Sequence, residues 1–284
     1  MSVHPRLSLN QATIKYADLS TALRITREAG IGSIGLWREP VAQVGLPTAV
    51  AMVADSGLRV SSLCRAGFFT AAEPGLRRAA LDDNRRAIAE TAALAAAAAD
   101  GSAAVLVLVA GGLPDGDRDL RGARARARDA VAELVDDALA AGVRLAIEPM
   151  HPLYAADRGV ISTLAQALDI AEQFRADVVG VVIDTFHVWW DPQLHDQIHR
   201  AGRGRRIAGY QVCDWITPLP PDALLARGMM GDGHIDFPTI TQLIAHAGYA
   251  GDIEVEIFNQ VIWDTDPADI AIRTAKAFDA YVGI

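Results

Sequence analysis

The chain has 284 residues, is 51% hydrophobic and carries a formal net charge of −9, with a pI of about 5.2. It is long enough for a sizeable core in one or two domains, and α/β barrels routinely reach this length as one. The acidic balance disfavours a dedicated nucleic-acid binder, which would present a basic surface, and every apolar run is broken by a charge, glycine or proline before it reaches membrane-spanning length.

Strand-like and helical segments alternate along the whole chain. A run at Leu7–Leu9 is followed by a helix over Leu19–Ala29, and Ser33–Leu36 by Pro47–Ser56. Arg59–Leu63 precedes the alanine-rich Pro74–Ala99, and Ala104–Val109 precedes Arg118–Ala141. Arg144–Ile147 leads to Ser162–Phe174, and Gly180–Ile183 to a short Leu194–Ala201. Ile207–Val212 leads to Pro238–Ala247, and Ile253–Ile257 to Pro267–Tyr281. Three of the helices close on Ala-Gly, at Ala29-Gly30, Ala141-Gly142 and Ala247-Gly248, where glycine supplies the left-handed C-cap. Eight strand–helix units of about 35 residues predict a (β/α)8 TIM barrel, a single domain over residues 1–284. A doubly wound open sheet is the competing architecture, but the first strand lacks the glycine-rich phosphate loop that usually follows it. The segment RGARARARD at Arg121–Asp129 reads as a solvated helix face.

The two cysteines, Cys64 and Cys213, make no disulfide framework, and a reducing cytoplasm is the expected setting. The first residues, MSVHPRLSLNQ, lack the charged and apolar regions of a signal peptide.

Four acceptor side chains fall at or near the ends of four consecutive strand-like runs: Glu148 in RLAIEPMHP, Asp184 in VGVVIDTFH, Gln211 in IAGYQVCDW and Glu256 in GDIEVEIFN. A carboxylate at the end of a buried strand is costly unless something pairs with it. Catalytic groups of a barrel come from the carboxyl ends of its strands, so these four would converge at one side of the mouth. Three carboxylates and an amide oxygen suit a hard divalent cation, Mn2+ or Mg2+ before Co2+ or Zn2+. Glu254 shares a face with Glu256 and is expected deeper and paired.

Around this set stand Arg65 in SSLCRAGFF, Trp37 and Arg38 in IGLWREP, Lys15 near the end of the first strand, His187 three residues after Asp184, and His151 three after Glu148. An arginine at the mouth would hold a substrate carboxylate or phosphate through its planar fork; its alternative is a structural pair with Glu39 or Glu73. Trp189, Trp190, Phe68 and Phe69 offer aromatic walls that would exclude water, or else pack helices. Gly231 and Gly233 in GDGHID mark a tight loop before the seventh helix.

The motifs IEPMHP, IDTFH, GDGHIDF and IEVEIFN, in this order over nearly the whole chain, resemble the sugar phosphate isomerase/epimerase superfamily, the xylose isomerase-like barrels. That superfamily holds hydroxypyruvate isomerase, ketohexose 3-epimerases, inosose dehydratase and endonuclease IV. The resemblance implies a metal on Glu148, Asp184, position 211 and Glu256, with Glu148 and Glu256 as acid/base pair and His187 on substrate oxygen. It places His234 near the site, and His151 is a further substrate-binding candidate. Many members carry histidine where this chain has Gln211. The implied activity is isomerisation or epimerisation of a small hydroxy-ketone, sugar or cyclitol through a metal-stabilised enediolate. A lyase on the same scaffold, such as an inosose-type dehydratase, shares that first step. A barrel without catalysis, serving as a partner subunit, is the third alternative. The expected partner is a small carbohydrate rather than nucleic acid or membrane, and self-assembly stays open.

Overall fold

The computed structural model describes residues 3–283. Eight parallel strands close into a barrel: β1 Leu7–Asn10, β2 Ser33–Trp37, β3 Arg59–Gly67, β4 Val105–Val109, β5 Arg144–Glu148, β6 Val179–Asp184, β7 Ile207–Val212 and β8 Ile253–Val255. Closure is made by β1, which pairs with β2 through Ser8↔Ser33 and with β8 through Leu7↔Ile253. The eight expected helices form the outer ring. Helix starts follow local chemistry: Asp18, Asp119, Thr163 and Asp236 each accept from a backbone N–H two or three positions into their helix, which satisfies donors the helix leaves unpaired. The cap at Thr163 explains why the fifth unit's helix, Leu164–Ala171, starts at Leu164 rather than at Ser162.

Two layers of apolar packing hold the fold. One lies between barrel and helices and takes in Leu145, Ile147, Val181, Ile183 and Val255. The other fills the barrel axis with Cys64, Val105, Val107, Ala146, Val182 and Ala208. Strand residues alternate between these layers. Ala146 points inward and so does Glu148; Val182 points inward and so does Asp184. The axis is filled by small side chains, and the layer above them belongs to the acids.

The register between neighbouring strands slips three times, at β2/β3, β3/β4 and β6/β7, and the last two slips matter to the site. Leu63 pairs with Leu106 but Ala66 pairs with Leu108, so β3 carries one extra residue between them. Val181 pairs with Ile207 but Val182 pairs with Gly209, so β7 carries one extra residue at Ala208. Such bulges re-aim the side chains that follow. Cys64 points into the axis and Arg65 also reaches the mouth; Ala208 fills the axis and Gln211 still faces inward.

Two further elements depart from the expected pattern. A helix at Arg38–Val44 follows β2. A two-stranded antiparallel ribbon pairs Asp214–Trp215 with Arg227–Gly228 beyond β7, and the residues between its strands form part of the barrel mouth.

Candidate active site

Glu148, Asp184, Gln211 and Glu256 all point inward at the carboxyl end of the barrel, and all are buried. At their centre lies Arg227, a residue the sequence did not single out. It is only 2% exposed. Its Nη1 donates to Asp184 Oδ2 at 2.9 Å and to Glu256 Oε2 at 2.9 Å. Its guanidinium is sandwiched between the rings of Phe186 and Phe258, at 4.7 and 4.9 Å from their centroids. The ribbon delivers it there, with its backbone carbonyl accepting from Asn259 Nδ2 at 2.9 Å.

Burial pushes the Glu148, Asp184 and Glu256 carboxyls above their ordinary range, Glu256 to about 7. For Glu148 the nearby charges of Glu256 and Asp184 add to this, and those of Arg227 and Arg65 oppose it. Without a cation this cluster holds protons that free carboxylates would release.

Gln211 is oriented by a chain of hydrogen bonds. Trp37 Nε1 donates to Asn10 Oδ1 at 2.7 Å, Asn10 Nδ2 to Glu254 Oε2 at 2.8 Å, and Gln211 Nε2 to the same Glu254 oxygen at 3.3 Å. Glu254 is therefore deeper and paired, as expected. Its carboxylate fills the space a Cβ would take at Gly35. With the amide nitrogen committed to Glu254, Gln211 Oε1 is left buried with no donor.

His187 is buried and neutral, because burial and the Arg227 charge hold its pKa far below the usual value. The His151 backbone N–H donates to its Nδ1 at 3.1 Å, so its proton sits on Nε2. That Nε2 lies 3.0 Å from Arg227 Nη2 and 3.8 Å from both Glu148 Oε1 and Asp184 Oδ2. With its proton on Nε2, His187 cannot accept from Arg227 Nη2, so the 3.0 Å approach sets two N–H groups side by side. Glu148 accepts no hydrogen bond among the described residues.

These groups border a hollow of about 30 Å³ lined by Trp37, Cys64, Arg65, Glu148, His187 and Glu256, among others. That is room for a water or two, or for the reacting end of a small molecule. Outside it a cleft of about 540 Å³ runs past Lys15, Trp37, Arg65, Arg158, Leu224 and Phe258. A separate hollow at the opposite end of the barrel, beside Ser61, Arg144 and Asp252, contains none of the clustered acids.

The remaining candidates divide. Trp37 and Arg65 line both hollow and cleft, and Lys15 lines the cleft alone. Arg38, placed by sequence at the mouth, turns outward to pair with Asp83 and Glu90 at 2.8 and 2.7 Å, because the helix it opens lies on the flank of the barrel. His151 stacks on Trp215, 4.9 Å between centroids, and touches the cluster only through its backbone; burial lowers its pKa to about 4. His234 is exposed and bonds Thr217 at 3.1 Å, away from the acids. Its loop wraps the Asp214 carboxylate, which accepts from Gly231, Gly233 and Ile235 N–H, and this turns the His234 side chain outward. Gly233 is required there because a Cβ would strike the Trp215 carbonyl. Trp190 donates to the His187 carbonyl at 2.8 Å and helps hold that turn.

The donor set fits a divalent cation. Carboxylate oxygens of Glu148 and Asp184 lie within 4.8 Å of each other and of a His187 ring nitrogen; with the His187 proton on Nε2 the oxygens are the ligands, Glu148 is free to coordinate, and Gln211 Oε1 is an acceptor without a partner. Oxygen ligands of this kind suit hard cations. Arg227 holds two of the same oxygens, so guanidinium and cation compete for them.

A closed parallel barrel with an acidic cluster at the carboxyl ends of β5 to β8 has the architecture of a TIM-barrel enzyme. The chain belongs to the xylose isomerase-like TIM barrel family, whose model matches residues 23–281. It is 27% identical over 259 residues to L-ribulose 3-epimerase of Mesorhizobium japonicum, covering 89% of this chain and 80% of that one. It is 30% identical over 152 residues to inosose isomerase of Bacillus subtilis, about half of each chain (52% and 51%). Among solved structures it resembles protein SMc04130 of Sinorhizobium meliloti, with 44% identity, 98% of each chain covered and a TM-score of 0.92. It shares its fold with the IolI protein solved with a bound zinc atom, at 21% identity and a TM-score of 0.80, covering 98% of this chain and 100% of that one. Among the described residues no helix is long and apolar enough to cross a membrane.

Proposed function

We propose that this chain is an isomerase or epimerase of a small hydroxy-ketone, sugar or cyclitol, working with a divalent cation held by Glu148, Asp184, Gln211 and Glu256. The observation that carries the reading is the pair Glu148 and Glu256, which line one small hollow at the barrel mouth, Glu148 with no hydrogen bond to satisfy it. The names of the curated relatives, an epimerase and an isomerase, support it.

One of the two glutamates, ionised, takes the proton from the carbon next to the substrate carbonyl. The other, protonated, delivers one, to the neighbouring carbon for isomerisation or to the opposite face of the same carbon for epimerisation. The pair returns to its starting state when the proton gained by the first passes to solvent and the second takes one up. His187 Nε2–H and Arg227 Nη2–H donate to the oxygens on which negative charge develops, which is worth most in a water-poor site. Trp37 and Phe258, in edge contact at 5.6 Å, keep water from the exposed carbanion. A cation bound to the four acceptors supplies Lewis-acid polarisation of the carbonyl and acidifies the adjacent C–H.

A panel of ketoses and inososes incubated in D2O with Mn2+ tests this. Deuterium at carbon together with a new isomer is the expected result, and Glu148→Gln and Glu256→Gln each lower the rate by about 10²-fold or more with the circular dichroism spectrum unchanged. Either variant at full rate overturns the acid/base assignment. Loss of a β-substituent in place of exchange would make the chain a lyase sharing the same first step.

A further inference from the structure

We propose that the substrate carries an anionic group, a carboxylate or a phosphate ester, which binds the guanidinium of Arg65 beside Glu148. The inference rests on the catalytic reading above and narrows its substrate class.

Arg65 differs from several arginines of the barrel mouth and its flank. Arg38 is paired with Asp83 and Glu90, Arg126 with Asp117, Arg158 with Asp157 and Asp222, and Arg227 with Asp184 and Glu256. Among the described residues the Arg65 side chain has no carboxylate within 4.0 Å, neither Glu39 nor Glu73, and makes no hydrogen bond. A half-buried guanidinium with none of its five donors committed to protein is available to a ligand of the opposite charge.

The irregular backbone at the end of β3 sets the direction of Arg65. Alternation along β3 would turn it outward after the inward Cys64, and the bulge between Leu63 and Ala66 cancels that turn. The guanidinium then lies against two rings, 5.4 Å from the Trp37 centroid and 5.2 Å from that of Phe68. Phe68 itself adopts φ +61, a left-handed conformation uncommon for a bulky residue. Contacts with ring faces leave the edge of the guanidinium, where its donors lie, free to form two parallel bonds to a planar anion.

Arg65 borders both the inner hollow, with Glu148 and Glu256, and the outer cleft. A molecule reaching from one to the other brings its reacting carbons to the glutamates and its far end past Arg65. Lys15, over the Trp263 ring at 4.2 Å, is a second cation of the cleft without an acidic partner within 4.0 Å among the described residues. The acids of the cleft are Asp222, held by Arg158 at 3.4 Å, and the exposed Glu39. Arg65 and Lys15 thus give the cleft two cations with no acid paired to either among the described residues.

The test compares matched sets on one carbon skeleton: fructose, fructuronate and fructose 6-phosphate, with the corresponding ketopentose set, read as kcat/KM for exchange in D2O with Mn2+. One anionic member of a set is expected to exceed its neutral counterpart by about 10- to 100-fold, the range of a charged hydrogen-bonded pair; whether it is the carboxylate or the phosphate identifies the anion. Arg65→Met is expected to collapse that anionic-to-neutral ratio, and Arg65→Lys to restore part of it. A neutral member turned over best, or a ratio untouched by Arg65→Met, overturns the proposal; the latter makes Arg65 a counter-charge for Glu148. Calorimetry with gluconate and with inorganic phosphate separates this inference from the reaction assigned above. If no sugar turns over but either probe binds the wild type and not Arg65→Met, the anion site stands and the isomerase reading falls. If no sugar turns over and neither probe binds, the anion site falls as well.

Discussion

Arg227 shows what a single buried charge controls. Its guanidinium balances Asp184 and Glu256 within a shell of Phe186, Phe258 and Cys213. Removing one partner of a buried ion pair strands the other and costs about 3–5 kcal/mol. Arg227→Met should therefore lower the melting temperature of EDTA-treated protein by roughly 5–15 °C, and Mn2+ should recover more of that loss than it adds to the wild type. Melting within about 2 °C of wild type in EDTA would show that the pairing contributes little. Nothing in the period of the sequence marked this residue. The one trace is its setting, LLARGMMG, a charge inside an apolar run, which a buried counter-charge explains. Glu148, Asp184 and Glu256 were legible for the matching reason: each is an acid at the end of a buried strand. His234 was misplaced because its loop is organised around Asp214, a contact between residues twenty positions apart that no local pattern reveals.

At the scale of elements, the helix Arg38–Val44 and the bulges in β3 and β7 make the difference between the expected and the observed barrel. Arg38 ties the start of its helix to the long helix Pro74–Ala97 through Asp83 and Glu90. Arg38→Met should cost about 1–2 kcal/mol, discounted because Asp83 is partly exposed, measured by urea unfolding. Arg38 holds the Asp83 carboxyl below its ordinary 3.8. A carboxyl depressed in the fold stabilises above its unfolded pKa and loses that effect as pH falls through its folded pKa. The wild-type advantage over Arg38→Met should therefore be full above about pH 4 and shrink below it; an advantage that does not change across that window would remove Asp83 from the account. The strands themselves were visible as apolar runs. The bulges were not, because an extra residue leaves composition untouched and shows itself only against the neighbouring strand.

For the molecule as a whole, the acid layer makes stability depend on protons and cations together. Glu256, lifted from 4.5 to about 7, binds protons more tightly in the fold than in the unfolded chain, so ion-free protein should lose stability as pH rises from about 4.5 towards 7. A cation binds the ionised carboxylates and competes with those protons. Saturating Mn2+ at about 100 times its Kd should add about 2.7 kcal/mol, or roughly 5–10 °C, with a larger shift at pH 7.5 than at pH 5.5. An equal shift at both pH values, or none, would count against a cation on these residues. The sequence by itself determined the eight strand–helix units, the end of the barrel that carries the acids and the family, because strand period, helix caps and end-of-strand carboxylates are local properties. Only the tertiary structure decided that Arg227 neutralises the acids, that Glu254 orients Gln211 and that Arg65 faces the cleft unpaired. Those outcomes depend on which strands become neighbours and with what stagger, and the chain acquires that information only when the barrel closes.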